Sequence, residues 1–368
     1  MKKLLTFLLA AVCCLSCGER SRTNNFRIKR GTNLSHWLSQ NDERGEARRN
    51  HIQEDDFRRL AKLGFDFVRI PIDEVQFWDE QGNRLPEAWE LLTQALDWAR
   101  KYELRAIVDL HIIRSHYFNA VLEGNAEANT LFNSEKAQQD LIDMWYQLSE
   151  VLRSYSTDYV AYEFMNEPVA EEHEQWNELI AKVHRALREA EPQRTLVIGS
   201  NMWQGYETFK YLRVPEGDPN IVLSFHYYNP MILTHRGAWW TPIGKYAGAI
   251  AYPGVMVSEA DYEAAPEEIR SQVEPYTREE WNRDRIKVQM KDAIDCAAKY
   301  GLPLFCGEWG VYEPVDRELA YAWTRDMISV FKEFDIAWAT WCYDGDFGFW
   351  DQAAHDYKDK PLVDLLLE

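Results

Sequence analysis

The sequence predicts a single-domain (β/α)8 TIM barrel, on three observations. Eight short strand-like runs alternate with segments of helical spacing. A chain of 368 residues suits one large barrel. Most of the runs deliver a polar or aromatic side chain at the same, C-terminal end, where barrels place their chemistry. The runs are Ile28–Asn33, Phe67–Ile70, Arg105–Leu110, Val160–Met165, Thr195–Ser200, Ile221–His226, Leu302–Glu308 and Ile336–Cys342.

The intervening segments carry helical signals. Ile52, Phe57, Leu60 and Leu63 precede Gly64, a predicted C-cap. Trp89, Leu92, Leu96 and Ala99 follow Pro86. Trp176, Leu179, Ile180, Val183 and Leu187 share one face, as do Ile286, Met290, Ala293, Ile294 and Ala297 before Gly301. The rival, an open doubly wound sheet, usually shows a glycine-rich turn after its first strand, and Gly31-Thr32-Asn33-Leu34 supplies none.

The N-terminus reads separately. Lys2 and Lys3 precede an apolar run, Leu4 to Val12, too short to span a bilayer. Residues 1–16 are expected to be a lipoprotein signal peptide, 17–25 a polar tether, and 26–368 the barrel domain. Leu15-Ser16-Cys17-Gly18 resembles a bacterial lipoprotein signal with Cys17 as the lipidated residue, although Cys14 stands where leucine is usual. A plain cleaved signal is the alternative. The expected location is a lipid anchor in a bacterial envelope, with the membrane engaged only through that lipid. Cys296, Cys306 and Cys342 are too few for a disulfide framework and are expected as buried thiols.

The net charge of −19 disfavours nucleic acid and anionic membranes and fits a neutral substrate. Fifteen tryptophans and 19 tyrosines exceed what a core needs, leaving some for a binding surface. No cofactor and no metal is expected, and the chain is read as a monomer.

Two glutamates stand out. Asn166-Glu167-Pro168 ends the fourth predicted strand and Gly307-Glu308-Trp309-Gly310 the seventh. Those strands face each other across an eight-stranded barrel. Two carboxyl groups flanking one bond are what glycoside hydrolysis requires. Each motif alone is weak, because a single glutamate is more often a surface or ion-paired residue.

The ordered set Val68-Arg69-Ile70-Pro71, Asp109-Leu110-His111, Asn166-Glu167-Pro168, His226-Tyr227-Tyr228, Gly307-Glu308-Trp309-Gly310 and Trp338-Ala339-Thr340-Trp341 resembles glycoside hydrolase family 5, cellulase-like retaining β-glycosidases. The resemblance spans nearly the whole mature chain. It implies Glu167 as acid/base and Glu308 as nucleophile. It implies Arg69 and Tyr228 as groups that keep Glu308 ionised, and Asn166 as the ligand of the sugar 2-hydroxyl. His111 and His226 would line the cleft, and Trp341 would be a sugar platform.

Structural readings stand beside these. Arg69 could pair with Asp66 or Asp73, the histidines could be satisfied core residues, and Trp341 could fill the barrel. Trp338, at an odd offset from Trp341, is read as packing. Trp203 and Tyr206 are possible subsite aromatics. Asp344 and Asp346 either bind hydroxyls or cap a turn. Arg114 and His116 lie in a third loop that departs from the family pattern. The segment from Asn229 to about Glu279, with Trp239, Trp240, Tyr246 and Tyr252, is either a cleft wall or a cover for the barrel.

The expected activity is retaining hydrolysis of plant-type β-glucan, with an endo-β-1,4-glucanase first. β-Mannan, xyloglucan and β-1,3-glucan are the alternative polymers. A non-catalytic glycan-binding lipoprotein and a metal-dependent hydrolase are the competing classes.

Overall fold

The computed structural model describes residues 24–368. The predicted signal peptide and Cys17 lie outside the described residues. Among those residues, no helix is long and apolar enough to cross a membrane.

Eight parallel strands close a barrel: β1 (Arg30–Asn33), β2 (Phe67–Asp73), β3 (Arg105–Ile112), β4 (Val160–Glu163), β5 (Thr195–Gly199), β6 (Ile221–His226), β7 (Leu304–Glu308) and β8 (Ala337–Thr340). Every strand pairs with its neighbours in sequence, and β8 closes onto β1. The main crossover and terminal helices are α1 (Glu54–Leu63), α2 (Pro86–Lys101), α3 (Glu135–Leu152), α4 (His173–Ala190), α5 (Lys291–Tyr300), α6 (Arg317–Phe334) and α7 (Lys360–Leu367). The (β/α)8 expectation therefore holds. The fifth crossover is shorter than a helix, a 3-10 segment over Tyr206–Tyr211 that packs beside α5.

Local rules explain the boundaries. Gly64 takes the left-handed conformation, φ 91°, and its N–H closes α1, as predicted. Pro86 starts α2, where its missing N–H costs nothing. The predicted continuous face from Ile286 to Ala297 breaks into two helices at Met290. The fourth strand ends at Glu163, two residues earlier than predicted, because the chain turns out of the sheet to present Asn166 and Glu167.

Inside the barrel, side chains stack in layers because strand residues alternate faces. The lower layer is apolar: Phe67, Ile107, Ala161, Val197, Val222, Phe305 and Ala337. Gly31 stands where a Cβ would lie 2.6 Å from the Phe67 ring, so the first strand yields space to the second. Phe26 closes the floor from below, and Asn24 Oδ1 accepts hydrogen bonds from Phe26 N and Thr195 Oγ1. Asn24 is thus part of the barrel. The tether expected over 17–25 must end before it, since a buried, hydrogen-bonded side chain is no longer linker.

Candidate active site

Two residues further along seven of the strands, the interior changes character, while on β8 Ala339 stays with the apolar floor. The next layer up holds Asn33, Arg69, Asp109, Glu163, Gly199, Ser224 and Gly307, all at the C-terminal half of the barrel. Arg69 is fully buried at its centre. Its Nε donates to Glu163 Oε2 at 2.7 Å, Nη1 to Glu308 Oε1 and Asn33 Oδ1 at 2.9 Å, and Nη2 to Asn166 Oδ1 at 2.8 Å. Asp109 Oδ2 lies 3.0 Å from Nη2. A planar guanidinium with five donors suits such a fork of acceptors; a lysine does not. Neither Asp66 nor Asp73 is its partner. Asp66 accepts from the main chain of Lys29 and Arg30 below the barrel, and Asp73 from Gln40 N.

Glu308 ends β7 and Glu167 lies four residues beyond β4. Glu308 is held by Arg69 and by Tyr228, whose hydroxyl donates to Oε2 at 3.0 Å. Glu167 Oε1 lies 2.8 Å from His226 Nδ1. One oxygen of each glutamate and a nitrogen of His226 all lie within 4.8 Å of one another. Carboxyl groups this close match a retaining pair, since inverting pairs stand roughly 6.5–9.5 Å apart.

Burial raises the Glu167 pKa well above the carboxylate range, and the neighbouring charge of Glu308 adds to it. Burial also raises Glu308, and the shift stays upward although Arg69 and the Tyr228 hydroxyl oppose it. Burial depresses Arg69, yet Asp109, Glu163 and Glu308 outweigh it and hold the guanidinium above its usual range. Tyr228 is raised by burial and by the charge of Glu308, so it stays a donor. Burial lowers His226 well below its usual value and His111 to about 4, so both rings are neutral at pH 7. Burial pushes Asp109 up to about 7, with Arg69 resisting.

The remaining predicted residues reach the same place. His111 Nδ1 contacts Asp109 Oδ2 at 2.8 Å, its Nε2 faces Gln40 Nε2 at 2.7 Å, and its ring stacks on Trp341. Both histidines are buried, as a core reading requires, but their polar partners belong to this cluster. Trp341 lies above the charged layer, among Cys342, Phe347 and Tyr228, rather than within the apolar floor. Asn166 spends its carbonyl on Arg69, while its buried Nδ2 meets no acceptor among the described residues. Trp203 is half-buried, with its indole N–H donating to Phe118 O. Trp338 packs outward on Phe65, Trp309 and Phe331.

Elsewhere the structure corrects the reading. In the long segment after β6, Tyr246 and Tyr252 are buried and serve as cover, not cleft wall. Trp240 is half-buried and packs on His235, Tyr312 and Phe347 beside Tyr228, while Trp239 is 84% exposed. Arg114 is tied to Glu74 and Trp78 O. His116 is buried, and its Nε2 accepts from Val169 N, bracing the loop of Glu167. Glu163, Asn33, Gln40 and Gln204 were not singled out by the sequence. Their signal was positional for Asn33 and Glu163, each two residues after an inward-facing strand residue.

The three groups that meet within 4.8 Å are also the cluster whose donor set could hold a metal ion among the described residues. A cation there would share Glu308 with the fixed guanidinium of Arg69, 2.9 Å from the same carboxylate, which opposes it.

Similarity to known proteins identifies the family. The model for Cellulase (glycosyl hydrolase family 5) matches residues 25–347. Endoglucanase C of Acetivibrio thermocellus is 29% identical over 325 residues, covering 86% of this chain and 91% of that protein. Cellodextrinase A of Ruminococcus flavefaciens is 29% identical, covering 84% of each. The structure of Thermotoga maritima Cel5A in complex with cellobiose superposes with a TM-score of 0.73 at 22% identity, over 93% of this chain and 98% of that one. The chain belongs to the cellulase family, glycosyl hydrolase family 5, and is a retaining glycoside hydrolase.

Proposed function

We propose that the enzyme is an endo-β-1,4-glucanase in which Glu308 is the nucleophile and Glu167 the acid/base. The observation that carries the assignment is the unequal company of two glutamates within 4.8 Å: Arg69 and Tyr228 on Glu308, a neutral His226 on Glu167.

In the first step the Glu308 carboxylate attacks the anomeric carbon while Glu167 protonates the departing glycosidic oxygen. A fixed cation beside Glu308 favours its charged form, and burial keeps Glu167 protonated until the leaving oxygen takes the proton. In the second step the ionised Glu167 removes a proton from water, which attacks the glycosyl–Glu308 ester. The buried Asn166 Nδ2 is a donor awaiting an acceptor, which a sugar 2-hydroxyl provides. Trp341 and Trp203 offer faces for the C–H surfaces of pyranose rings. The substrate class rests on the endoglucanase names of the relatives together with this aromatic lining.

A reducing-sugar screen over carboxymethylcellulose, glucomannan, galactomannan, xyloglucan, xylan and laminarin tests the substrate. Carboxymethylcellulose is expected to be preferred; preference for galactomannan or laminarin overturns the β-1,4-glucan assignment. Azide should partly rescue Glu308→Ala and Glu167→Ala with glycosyl azides of opposite anomeric configuration, which tests the two roles. EDTA should leave the rate unchanged; inactivation reversed by a divalent ion would instead favour a metal held by Glu167, His226 and Glu308.

The lipid on Cys17 remains part of the proposal, supported by the signal-like sequence before it. A Cys17→Ala variant should leave the membrane fraction for the soluble one. Gel filtration should give a monomer.

A further inference from the structure

The loop that carries Glu167 is held from behind by the loop after β5. Met202, Trp203 and Gln204 have left-handed backbones, with φ of 54°, 59° and 52°. Three successive non-glycine residues in that region are uncommon and persist only when their surroundings hold them. Here the turn grips the neighbouring loop at three points. Asn201 accepts from Ala170 N at 2.8 Å and donates to Ala170 O at 2.9 Å. Trp203 N donates to Pro168 O at 3.2 Å. Gln204 Oε1 accepts from the main-chain N–H of Glu167 at 2.9 Å.

Gln204 is wholly buried beneath the cleft. Its Nε2 donates to Glu163 Oε1 at 3.1 Å and to Ser224 Oγ at 3.0 Å. A carboxylate on one side and an N–H on the other fix which end of the amide is which. Only glycine at position 199 admits this side chain, because a Cβ there would lie 2.3 Å from Gln204 Cγ. A chain of contacts then runs from the Glu167 main chain through Gln204, Glu163 and Arg69 to Glu308. Glu167 needs such a hold. Its own φ is 43°, outside regular structure, and its N–H goes to Gln204.

We propose that Gln204 is a positioning residue for the acid/base, aiming the Glu167 carboxyl by anchoring its left-handed main chain to the buried Glu163–Arg69 pair. The inference rests on the reading of Glu167 as acid/base. An amide does this because one group must accept and the other must donate. Removing the anchor lets the Glu167 backbone relax and its carboxyl leave the glycosidic oxygen, and a misplacement of about 1 Å costs on the order of 100-fold in rate.

The test separates aim from general damage through the leaving group. A phenyl β-cellobioside needs a proton from Glu167 in the first step; a 2,4-dinitrophenyl β-cellobioside departs as a stable phenolate and does not. Gln204→Met removes all three side-chain hydrogen bonds at similar length. It is expected to lower kcat/KM for the phenyl substrate by about 100-fold and for the dinitrophenyl substrate by no more than about threefold. Should Gln204→Met fail to fold, Gln204→Asn keeps the amide but is one methylene too short to bridge, and the same split is expected. Glu167→Gln is measured alongside. If it shows the split while the folded Gln204 variant loses both substrates equally, or neither, the positioning role is overturned and the acid/base stands. If Glu167→Gln itself shows no split, the acid/base assignment fails and this inference with it.

Discussion

Glu167 and Glu308 have the same side chain and meet within 4.8 Å, yet the barrel presents them differently. Glu308 sits on the last residue of its strand, paired with His226 just past a shift in register, and two strong donors point at its oxygens. Glu167 stands four residues past its strand on a left-handed backbone, with a neutral imidazole as its side-chain partner. The first arrangement favours a charge held still. The second favours a group that gains and loses a proton. Environment, not residue type, separates the two roles.

That contrast sets the expected order of mutational effects. Glu308→Gln should be the most severe, lowering hydrolysis of carboxymethylcellulose by on the order of 10⁴-fold or more, since on the proposed mechanism Glu308 alone forms the covalent intermediate. Product release followed by reducing-sugar assay is the measurement; a variant retaining a tenth of the activity would end the contrast. Glu167→Gln should cost about 10²–10⁴-fold on the same polymer.

Arg69→Met comes next because it damages fold and site together. It leaves Asp109, Glu163 and Glu308 facing one another without their cation, so unfolding in urea should show a loss of about 3–5 kcal/mol. An unchanged urea midpoint would mean that the carboxylates are held by something other than Arg69.

The pH profile sharpens the same comparison. On the proposed roles, activity needs Glu167 protonated and Glu308 ionised. Because the Glu167 pKa is raised, its proton is kept at higher pH and the rate is lost as pH climbs through that raised value. The alkaline limb of kcat/KM should therefore lie well above the ordinary carboxylate range. Glu167→Gln should abolish that limb and leave the acidic one.

The smallest effect should lie outside both glutamates. Tyr246 is buried, and its hydroxyl donates to Ala249 O. Tyr246→Phe should cost about 1 kcal/mol in urea unfolding and leave kcat/KM unchanged. A fall in kcat/KM would return this segment to the cleft wall.

Much of this was readable in advance. The barrel followed from eight alternating runs, and the predicted strand ends located Arg69, His111, Asn166, Glu167, His226, Tyr228, Glu308 and Trp341 in one cluster. What escaped was the support beneath them. Glu163 and Gln204 resemble any other glutamate and glutamine in the sequence. Glu163 matters because it lies one inward step above Ala161, so it enters the barrel instead of solvent. Gln204 matters because it and the two residues before it turn left-handed, which no local propensity announces. Likewise Tyr246 and Tyr252 look like cleft aromatics until burial shows them packed.

The sequence by itself determined the strand and helix alternation, the identity of the two glutamates and the family, because periodicity and short motifs are local properties of the chain. Only the tertiary structure decided how the charges are shared: one buried guanidinium among three carboxylates, and one amide joining the main chain of Glu167 to them. Those contacts join residues up to 239 positions apart. Their strength depends on burial and on distances of about 3 Å, neither of which is written in any single stretch of sequence.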